Sequence, residues 1–414
     1  MRIFVVEPLG QGGMIHYAYQ LCTALADQGA EVTLVTARDY EMESFPHNFT
    51  VERRLRLWSP YDPRSMGEKR RSLPGRIAHR LFWMARRALR ALRLIVEWDR
   101  LTRYLIRQRP DLVQFGKINF PFEAFFFNRM RRRGLVLSNI CHEFELRERG
   151  GGFLTDLANR AYTGIYGGFA AIFLHAEDNR RHFLEVSGVP AERTHVIPMG
   201  NESLFIEKAR AAAGQVDLRA RYGLGPDEPV VVFFGNLTYS KGIPELLDAF
   251  ALVAERSPAK LVIAGYPTKF IDMGALHAQV ARLGLDDRVI FDPRYIPIEE
   301  VGPLMALARV VVFPYRNSTQ SASLQVAYSF GRPVVTTDVG GLPEAVEQGR
   351  SGYSVPQGDA QAMADAILTL VENPALAEEM GAYARHLSET RFAWSTIAAQ
   401  IMAVYRALPG MPQG

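Results

Sequence analysis

A single lysine follows a glycine at the end of a strongly apolar run near the middle of the chain. The run Val230–Phe234 leads into Gly235 and Asn236, Lys241 follows in a short loop, and a helical pattern starts at Pro244. A strand, a glycine loop with a cation and a helix N-terminus together favour binding of a diphosphate. A lysine also stabilises the charge that grows as a diphosphate departs. Lys241 is therefore predicted to be catalytic, the alternative being a solvated loop lysine.

A polar segment before a helical pattern offers a second anion site. The helix predicted to end at Phe330 is expected to begin with Thr319, Gln320, Ser321 and Ala322. Their backbone N–H groups would point out of the helix N-terminus, where an anion binds favourably. A simple N-cap role for Thr319 or Ser321 is compatible with this. Arg316 could add a phosphate-binding cation, although surface arginines are usually solvated.

Two candidate positions follow strand-like runs in the first half. Gly12 and Gly13 lie between the first apolar run and the first helical pattern, where glycine allows close approach of a ligand, and a turn without a ligand is an equal alternative. His142 follows the run 135–140, and the carboxyl ends of such strands open onto the ligand crevice. A structural histidine bonded to the backbone is the alternative.

The elements that must position these residues alternate between strand and helix. Strands are predicted at 2–7, 31–36, 112–115, 135–140, 171–174, 230–234, 261–264, 289–291, 310–313 and 333–336. This alternation indicates an α/β protein with two doubly wound, Rossmann-like domains. Their expected bounds are 1–200 and 201–394, joined where Pro198 and Gly200 interrupt a strand-like run, and 395–410 is predicted to be a helix.

Length and composition agree with this organisation. A chain of 414 residues is too long for one compact core. Two cysteines cannot form a disulfide framework, and no signal peptide or apolar run of about 18 residues is evident, so a cytoplasmic location is expected. No paired Asp motif or His/Cys cluster predicts a metal site.

Positive charge is concentrated in the first half. Residues 1–200 carry a net charge of +9 and the remainder −5, and between Lys69 and Arg109 there are 13 basic residues but only Glu97 and Asp99 as acids. From Arg76 to Arg109 arginines recur at helical spacing beside an apolar face, with Trp98 nearby, which suits an anionic membrane surface or a lipid-linked acceptor. An ordinary surface helix packed on the first domain is the alternative. A nucleic-acid partner is not expected, since base-stacking aromatic residues are missing.

Four segments in order resemble the family-4 retaining glycosyltransferases of the glycosyltransferase-B fold, over essentially the whole chain. They are 10–36, 235–242, 313–335 and 338–344. The resemblance implies a cleft between two domains, a nucleotide-diphosphate sugar held by the second domain, and an acceptor, a glycan or a lipid-linked group, presented by the first. It also implies that the helix 395–410 packs back on the first domain, that no cofactor is used, and that His142 lies near the donor sugar.

The chain departs from this family's pattern at three places. Asn236 replaces the usual arginine, Ser318 and Val326 replace two glutamates, and 319–322 replace a glycine-rich turn. A valine side chain cannot hydrogen-bond a ribose diol. Catalysis is assigned to His142 and Lys241, and donor binding to Gly12, Gly13, Gly235, Asn236, Lys241, Arg316, Ser318, Thr319, Gln320, Ser321 and Ala322.

Two other functions are compatible with parts of the pattern. A nucleotide-sugar epimerase of the same fold would need acid–base carboxylates, and the expected glutamates are absent. A non-catalytic sugar-nucleotide-binding protein would not need the lysine loop, which is intact. The sequence therefore favours a retaining, metal-independent hexosyltransferase in the cytoplasm, with peripheral attachment to the inner face of the membrane as a further expectation.

Overall fold

The computed structural model describes residues 1–56, 73–118, 120–144, 164–211 and 216–412, with only the backbone described for 73–88 and 210–211. The strands are β1 (Arg2–Glu7), β2 (Glu31–Ala37), β3 (Thr50–Leu55), β4 (Leu112–Phe115), β5 (Val136–Ile140), β6 (Ala171–Leu174), β7 (Thr194–Val196), β8 (Val230–Phe234), β9 (Lys260–Ala264), β10 (Val289–Asp292), β11 (Ala308–Phe313), β12 (Val334–Thr337) and β13 (Gly352–Val355).

Helices connect most of these strands. They are α1 (Gly13–Asp27), α2 (Leu73–Gln108), α3 (Glu123–Arg132), α4 (Glu177–Ser187), α5 (Ser203–Ala211), α6 (Leu218–Arg221), α7 (Ile243–Arg256), α8 (Met273–Arg282), α9 (Ile298–Leu307), α10 (Ala322–Ser329), α11 (Leu342–Ala345), α12 (Ala360–Glu372), α13 (Pro374–Glu389) and α14 (Trp394–Ala407). Short 3-10 turns include Glu41–Ser44 and Tyr239–Lys241.

The chain forms two compact α/β units. Unit 1 comprises 1–173, 184–195 and 398–414, and unit 2 comprises 174–183 and 196–397. The division therefore runs through α4 and α14, whereas the predicted bounds were 1–200 and 201–394 with the helix 395–410 packing back on the first domain. From Ala398 onward α14 belongs to unit 1, where Tyr405 is fully buried and its hydroxyl donates to Oε1 of Gln114 on β4.

Each unit is built on a parallel sheet with helices. The first sheet has the strand order β3-β2-β1-β4-β5-β6-β7 and the second β10-β9-β8-β11-β12-β13. The central strands are continuous apolar runs because helices cover both faces, and all five residues of VVVFF in β8 are at most partly exposed. The predicted α/β class with two doubly wound sheets is confirmed.

Three strands were not predicted, and all three lie at or beside the outer ends of the sheets. β3 reads TVERRL with an exposed centre, β7 has three residues, and β13 is half-buried. An edge strand has only one strand neighbour and tolerates polar residues, so it lacks the long apolar run that identifies an inner strand.

One face of α2 packs on unit 1, as the alternative interpretation of an ordinary surface helix expects. Trp98 is only 5% exposed and stacks on Phe115 and Phe126, and Glu97 is buried as well. The face of α2 that carries these two residues therefore packs into unit 1. Phe82, Trp83 and Arg86 have side chains outside the described residues. In the part of the chain that the structure describes, no helix has the length and hydropathy to cross a bilayer.

Candidate functional site

In unit 2 the strand order reverses between β8 and β11. β9 and β10 continue on one side of this pair, and β12 and β13 on the other. Since β8 and β11 are parallel, the loops after them leave the same edge of the sheet and diverge, which opens a ligand crevice there. The structure brings Gly235, Lys241, Arg316 and Ser321 to this edge.

Lys241 lies at the end of a 3-10 turn after β8. Its Nζ atom is 3.5 Å from the centre of the Tyr315 ring, a cation–π contact. Tyr315 follows β11 and is fully buried, and its hydroxyl lies 3.1 Å from Oγ of Ser321. Lys241, Tyr315 and Ser321 therefore form one chain of contacts from the lysine loop to the start of α10. We call these three residues the lysine triad.

The N-terminus of α10 faces the end of β8. Ser321 is its N-cap, and its Oγ accepts a hydrogen bond from the Leu324 N–H at 3.2 Å. The N–H groups of Ala322 and Ser323 belong to the first turn, where an α-helix has no internal acceptor for them. Oγ of Ser323 lies only 3.2 Å from where a side chain on Gly235 would begin. Ser323 was missed by the sequence reasoning, although it directly follows the predicted segment.

Three of the predicted donor residues shape the preceding loop instead of starting the helix. α10 begins at Ala322, so the prediction that Thr319 and Gln320 open it is wrong. The Thr319 carbonyl accepts from the Asn179 side chain and from the Gly341 N–H, and the Gln320 amide donates to the Gly341 carbonyl. Ser318 is buried, and its hydroxyl donates to the Gln320 carbonyl at 2.9 Å. These bonds, of which only that of Ser318 is local in sequence, hold the segment in a loop that precedes the helix.

Arg316 and Asn236 occupy different electrostatic environments. Nε of Arg316 donates to Glu245 at 2.5 Å, and the guanidinium stacks on Tyr239 at 3.9 Å. The positive charge of Arg316 is thus largely offset by Glu245. Asn236 is exposed at the end of β8 and is open to a ligand. Val326, at the position of the second family glutamate, is buried in the core at 2% exposure.

The loops of this edge touch backbone to backbone at two glycines. At Gly242, φ is 65° and a Cβ atom would lie 1.7 Å from the Pro314 carbonyl oxygen. At Gly340, φ is 53° and a Cβ atom would lie 1.7 Å from the Ser318 carbonyl oxygen. Only glycine fits either position, because a side chain would clash and the left-handed conformation is unfavourable for other residues. The two contacts hold the lysine loop and the 317–321 loop against their neighbours.

Gln325 is a buried polar residue that the sequence reasoning did not single out. It is fully buried, one helical turn after Ser321, and neither of its amide atoms has a hydrogen-bond partner among the described residues. A buried amide normally requires a partner. A glutamine among the apolar positions of α10 is the signal that identifies it.

The glycine loop of unit 1 is capped by a side chain. Gly12 has φ 87° and precedes α1, and its N–H donates to Oε1 of Glu41 at 2.6 Å. The same oxygen lies 2.8 Å from Nε2 of His16. No atom lies within 4 Å of a Cβ on Gly12 or Gly13, so the space beside them is open. An anion that used the Gly12 N–H would have to displace Glu41.

His142 lies at the carboxyl end of β5, beside an acid that the sequence reasoning missed. Its ring packs edge-on against Tyr17 at 4.6 Å, and both residues border a cavity of about 10 Å³ together with Glu7. Such a volume has room for about one water molecule. Glu7 ends β1 and is 2% exposed, and burial raises the pKa of its carboxyl to about 7, although the Leu9 N–H and Lys117 lower it. A charged residue closing an apolar strand is the sequence signal for it.

His175 is buried in unit 2 with Nδ1 3.3 Å from the Ile197 carbonyl oxygen. Burial lowers the pKa of His175 to about 4, although its backbone hydrogen bonds raise it. Its imidazole is therefore neutral near pH 7. Within the described residues, no three His, Cys, Asp or Glu side chains group in a way that could hold a metal ion.

Two family models match the chain. Residues 12–200 match the glycosyl transferase 4-like domain, and residues 228–373 match the glycosyl transferases group 1 model. Similar curated proteins include alpha-D-kanosaminyltransferase of Streptomyces kanamyceticus, 29% identical over 58% of this chain and 61% of that protein. D-inositol 3-phosphate glycosyltransferase of Streptomyces bingchenggensis is 30% identical over 58% of this chain and 53% of that protein. The chain thus matches little more than half the length of these relatives.

Solved structures extend the similarity over nearly the whole chain. Anabaena HepE in complex with UDP-glucose superposes with a TM-score of 0.71 at 20% identity, covering 99% of this chain and 100% of that chain. A glycosyltransferase from Rickettsia africae gives a TM-score of 0.72 at 13% identity, covering 99% of both chains. At this level of identity the similarity establishes a shared fold.

The close approach at Gly242 predicts a large effect of adding one methyl group. We expect Gly284→Ala, with φ 66° and no atom within 4 Å of its Cβ, to cost about 1 kcal/mol through backbone strain alone. Gly242→Ala adds the clash with the Pro314 carbonyl oxygen, so it should lower the free energy of unfolding by at least about twice as much. Urea unfolding of both variants measures the difference. Equal costs would contradict the close approach.

The raised pKa of Glu7 predicts a pH-dependent stability. The folded state binds this proton more tightly than the unfolded state, whose pKa is about 4.5. The stabilisation is therefore complete below that pH and is lost as the pH rises through about 7. We expect Glu7→Gln to match wild type at about pH 4 and to exceed it in unfolding free energy by roughly 3 kcal/mol at about pH 8. Exposed Glu192→Gln is the control, and identical pH profiles for wild type and Glu7→Gln would contradict the buried, protonated carboxyl.

Proposed function

We propose that the chain, in which residues 12–200 match the glycosyl transferase 4-like domain and residues 228–373 the glycosyl transferases group 1 model, transfers a hexose from a nucleotide-diphosphate sugar to an acceptor hydroxyl with retention of configuration. The observation that carries this proposal is the lysine triad at the strand-order reversal of unit 2, beside the N-terminus of α10. HepE was solved with UDP-glucose, which supports a nucleotide sugar as donor.

The triad supplies positive charge for the leaving group. As the bond between sugar C1 and the phosphate oxygen breaks, negative charge grows on the diphosphate, and the acceptor oxygen forms its bond to C1 on the same face. The departing phosphate takes the acceptor proton. Lys241 would exchange its contact with the Tyr315 ring for the phosphate oxygens, and the N–H groups of Ala322 and Ser323 would donate to the same anion. We propose that these groups act without a bound metal.

Contacts to the sugar and ribose must come from residues other than the family glutamates. Val326 is in the core and the Ser318 hydroxyl is bonded within its loop. We assign donor contacts instead to Asn236, which is exposed, and to Ser323, which lies against Gly235. Arg316, offset by Glu245, would orient the loop more than neutralise a phosphate. His142, Gly12 and Gly13 in unit 1 keep the roles that the family resemblance implies.

A membrane-borne acceptor is supported by the exposed part of α2. Leu89, Leu92, Ile95 and Val96 are 50%, 60%, 44% and 40% exposed, and Arg90 and Arg93 are exposed beside them. Apolar side chains at this spacing share one helix face, and a basic rim suits anionic lipid. We propose that this face rests on the membrane surface and that the acceptor is a glycan or a lipid-linked group.

The first prediction of this proposal concerns Lys241. Lys241→Ala should lower transfer by about 10²–10³-fold, as expected for loss of a group that stabilises developing charge. Lys269→Ala is a matched control, since its ammonium also contacts an aromatic ring, at 4.9 Å from Phe270, in the same unit. The assay follows release of the nucleotide from a panel of nucleotide sugars. Near-normal turnover of Lys241→Ala, or loss of wild-type activity in EDTA with recovery in Mg²⁺, would contradict the mechanism.

The second prediction concerns the membrane face. Wild-type protein should co-sediment with anionic vesicles at low salt and release at high salt, because each arginine near such a surface contributes about 1 kcal/mol. Arg90→Gln with Arg93→Gln should weaken this binding while donor hydrolysis persists. Arg256→Gln with Arg350→Gln, exposed arginines of unit 2, should leave it unchanged. Failure of wild type to bind anionic vesicles at low salt would remove the membrane assignment.

A further inference from the structure

Unit 1 contains a cavity of about 460 Å³ whose wall is dominated by arginine. It lies between β3 and α2, and Arg38 reaches it from the end of β2. Its charged lining residues are Arg38, Arg53, Arg54, Arg56, Arg100 and Glu97. Five guanidinium groups and one carboxylate line this wall, and Glu43 and Glu52 pair with two of the arginines from outside it, so the wall keeps an excess of positive charge.

Three of the arginines are held in place by acids. Arg53 pairs with Glu43 at 2.7 Å, Arg54 with Glu52 at 2.8 Å, and Arg100 with Glu97 at 2.7 Å. The Arg54 guanidinium also stacks on the Tyr104 ring at 4.0 Å. These contacts hold the three guanidinium groups beside the cavity before any ligand arrives, which lowers the ordering cost of binding an anion.

Arg38 and Arg56 differ from these three. Both are exposed, and within the described ranges neither forms an ion pair. The backbone N–H of Arg56 donates to Oε2 of Glu97 at 3.4 Å, so the one lining carboxylate is occupied from two sides. The charges of Arg38 and Arg56 therefore remain available to a ligand.

The cavity adjoins the glycine loop of unit 1. Asp39 follows Arg38, and its carbonyl oxygen lies 2.7 Å from where a side chain on Gly10 would begin. Arg53 to Arg56 lie at the carboxyl end of β3, the edge of the sheet from which the loop 8–12 also leaves β1. The cavity thus opens at the edge where a parallel sheet binds ligands.

We propose that this arginine cavity binds a phosphate-bearing group, a phosphomonoester or a diphosphate, of the acceptor. A guanidinium group can donate two parallel hydrogen bonds to two oxygens of one phosphate. Leu55, Leu101 and the Tyr104 ring give the cavity an apolar side for the group attached to the phosphate. The identity of the ligand as the acceptor rests on the proposed function, whereas anion binding by the cavity does not.

The test uses the full chain with Lys241→Ala, so that the donor site contributes little to binding. Calorimetric titration with inorganic pyrophosphate should detect a salt-sensitive site in this background. Adding Arg38→Gln and Arg56→Gln should weaken that binding by at least about tenfold, the scale for loss of charge-assisted hydrogen bonds. Arg132→Gln with Arg133→Gln, exposed residues of the same unit that do not line the cavity, should leave it unchanged.

Each result has a defined meaning. In a chain with Lys241 intact, Arg38→Gln with Arg56→Gln should retain nucleotide-sugar hydrolysis. Loss of anion binding by the cavity can therefore be distinguished from loss of the proposed donor chemistry. Sedimentation of the same double variant with vesicles of phosphatidylcholine and phosphatidic acid shows whether the bound phosphate belongs to a lipid or to a soluble molecule. If the double variant loses binding to both the vesicles and pyrophosphate, a lipid phosphate is supported. If it loses only pyrophosphate binding, a soluble phosphate is supported. Unchanged pyrophosphate affinity in the double variant, or no binding at all in the Lys241→Ala background, would overturn the proposal.

Discussion

The carbonyl oxygens of Pro314 and Ser318 press directly on the main chain of Gly242 and Gly340, and the candidate donor site depends on these two contacts. A Cβ atom at either glycine would lie 1.7 Å from the facing oxygen. Gly242 closes the turn that carries Lys241, and Pro314 precedes Tyr315, so the first contact sets the distance between the ammonium and the ring. The second holds the 317–321 loop that ends at the cap of α10. Rigid backbone contacts of this kind position side chains more precisely than flexible side-chain packing does.

Electrostatics then distinguish the cations at this edge. Arg316 is paired with Glu245 and Arg294 with Asp292, and the hydrogen bonds that Arg294 donates to Glu300 and Asp292 raise its pKa further above its usual range. Lys241 instead rests on an aromatic face, whose attraction for a cation is weaker than that of a carboxylate. A diphosphate can therefore draw Lys241 away at lower cost than either arginine. This difference is the physical reason for assigning the leaving-group role to Lys241.

The sequence predicted the inner strands and the lysine loop well, because both depend on local patterns. Apolar runs identify strands buried on both faces, and a glycine, a lysine and a helix start lie within 15 residues from Val230 to Pro244. It did not predict the edge strand β3, whose polar residues suit one covered side. It also misjudged Thr319 and Gln320, because bonds to Asn179 and Gly341, distant in sequence, decide where α10 begins. The role of Glu7 likewise depends on burial, which no local pattern reports.

The central claim is that the lysine triad and the first turn of α10 bind the donor diphosphate. A crystal structure of the full chain with a bound nucleoside diphosphate tests it most directly. We expect a terminal phosphate within hydrogen-bonding distance, about 2.7–3.2 Å, of Nζ of Lys241 and of the N–H groups of Ala322 and Ser323. A diphosphate bound away from this edge, with Nζ of Lys241 still centred on the Tyr315 ring, would contradict it.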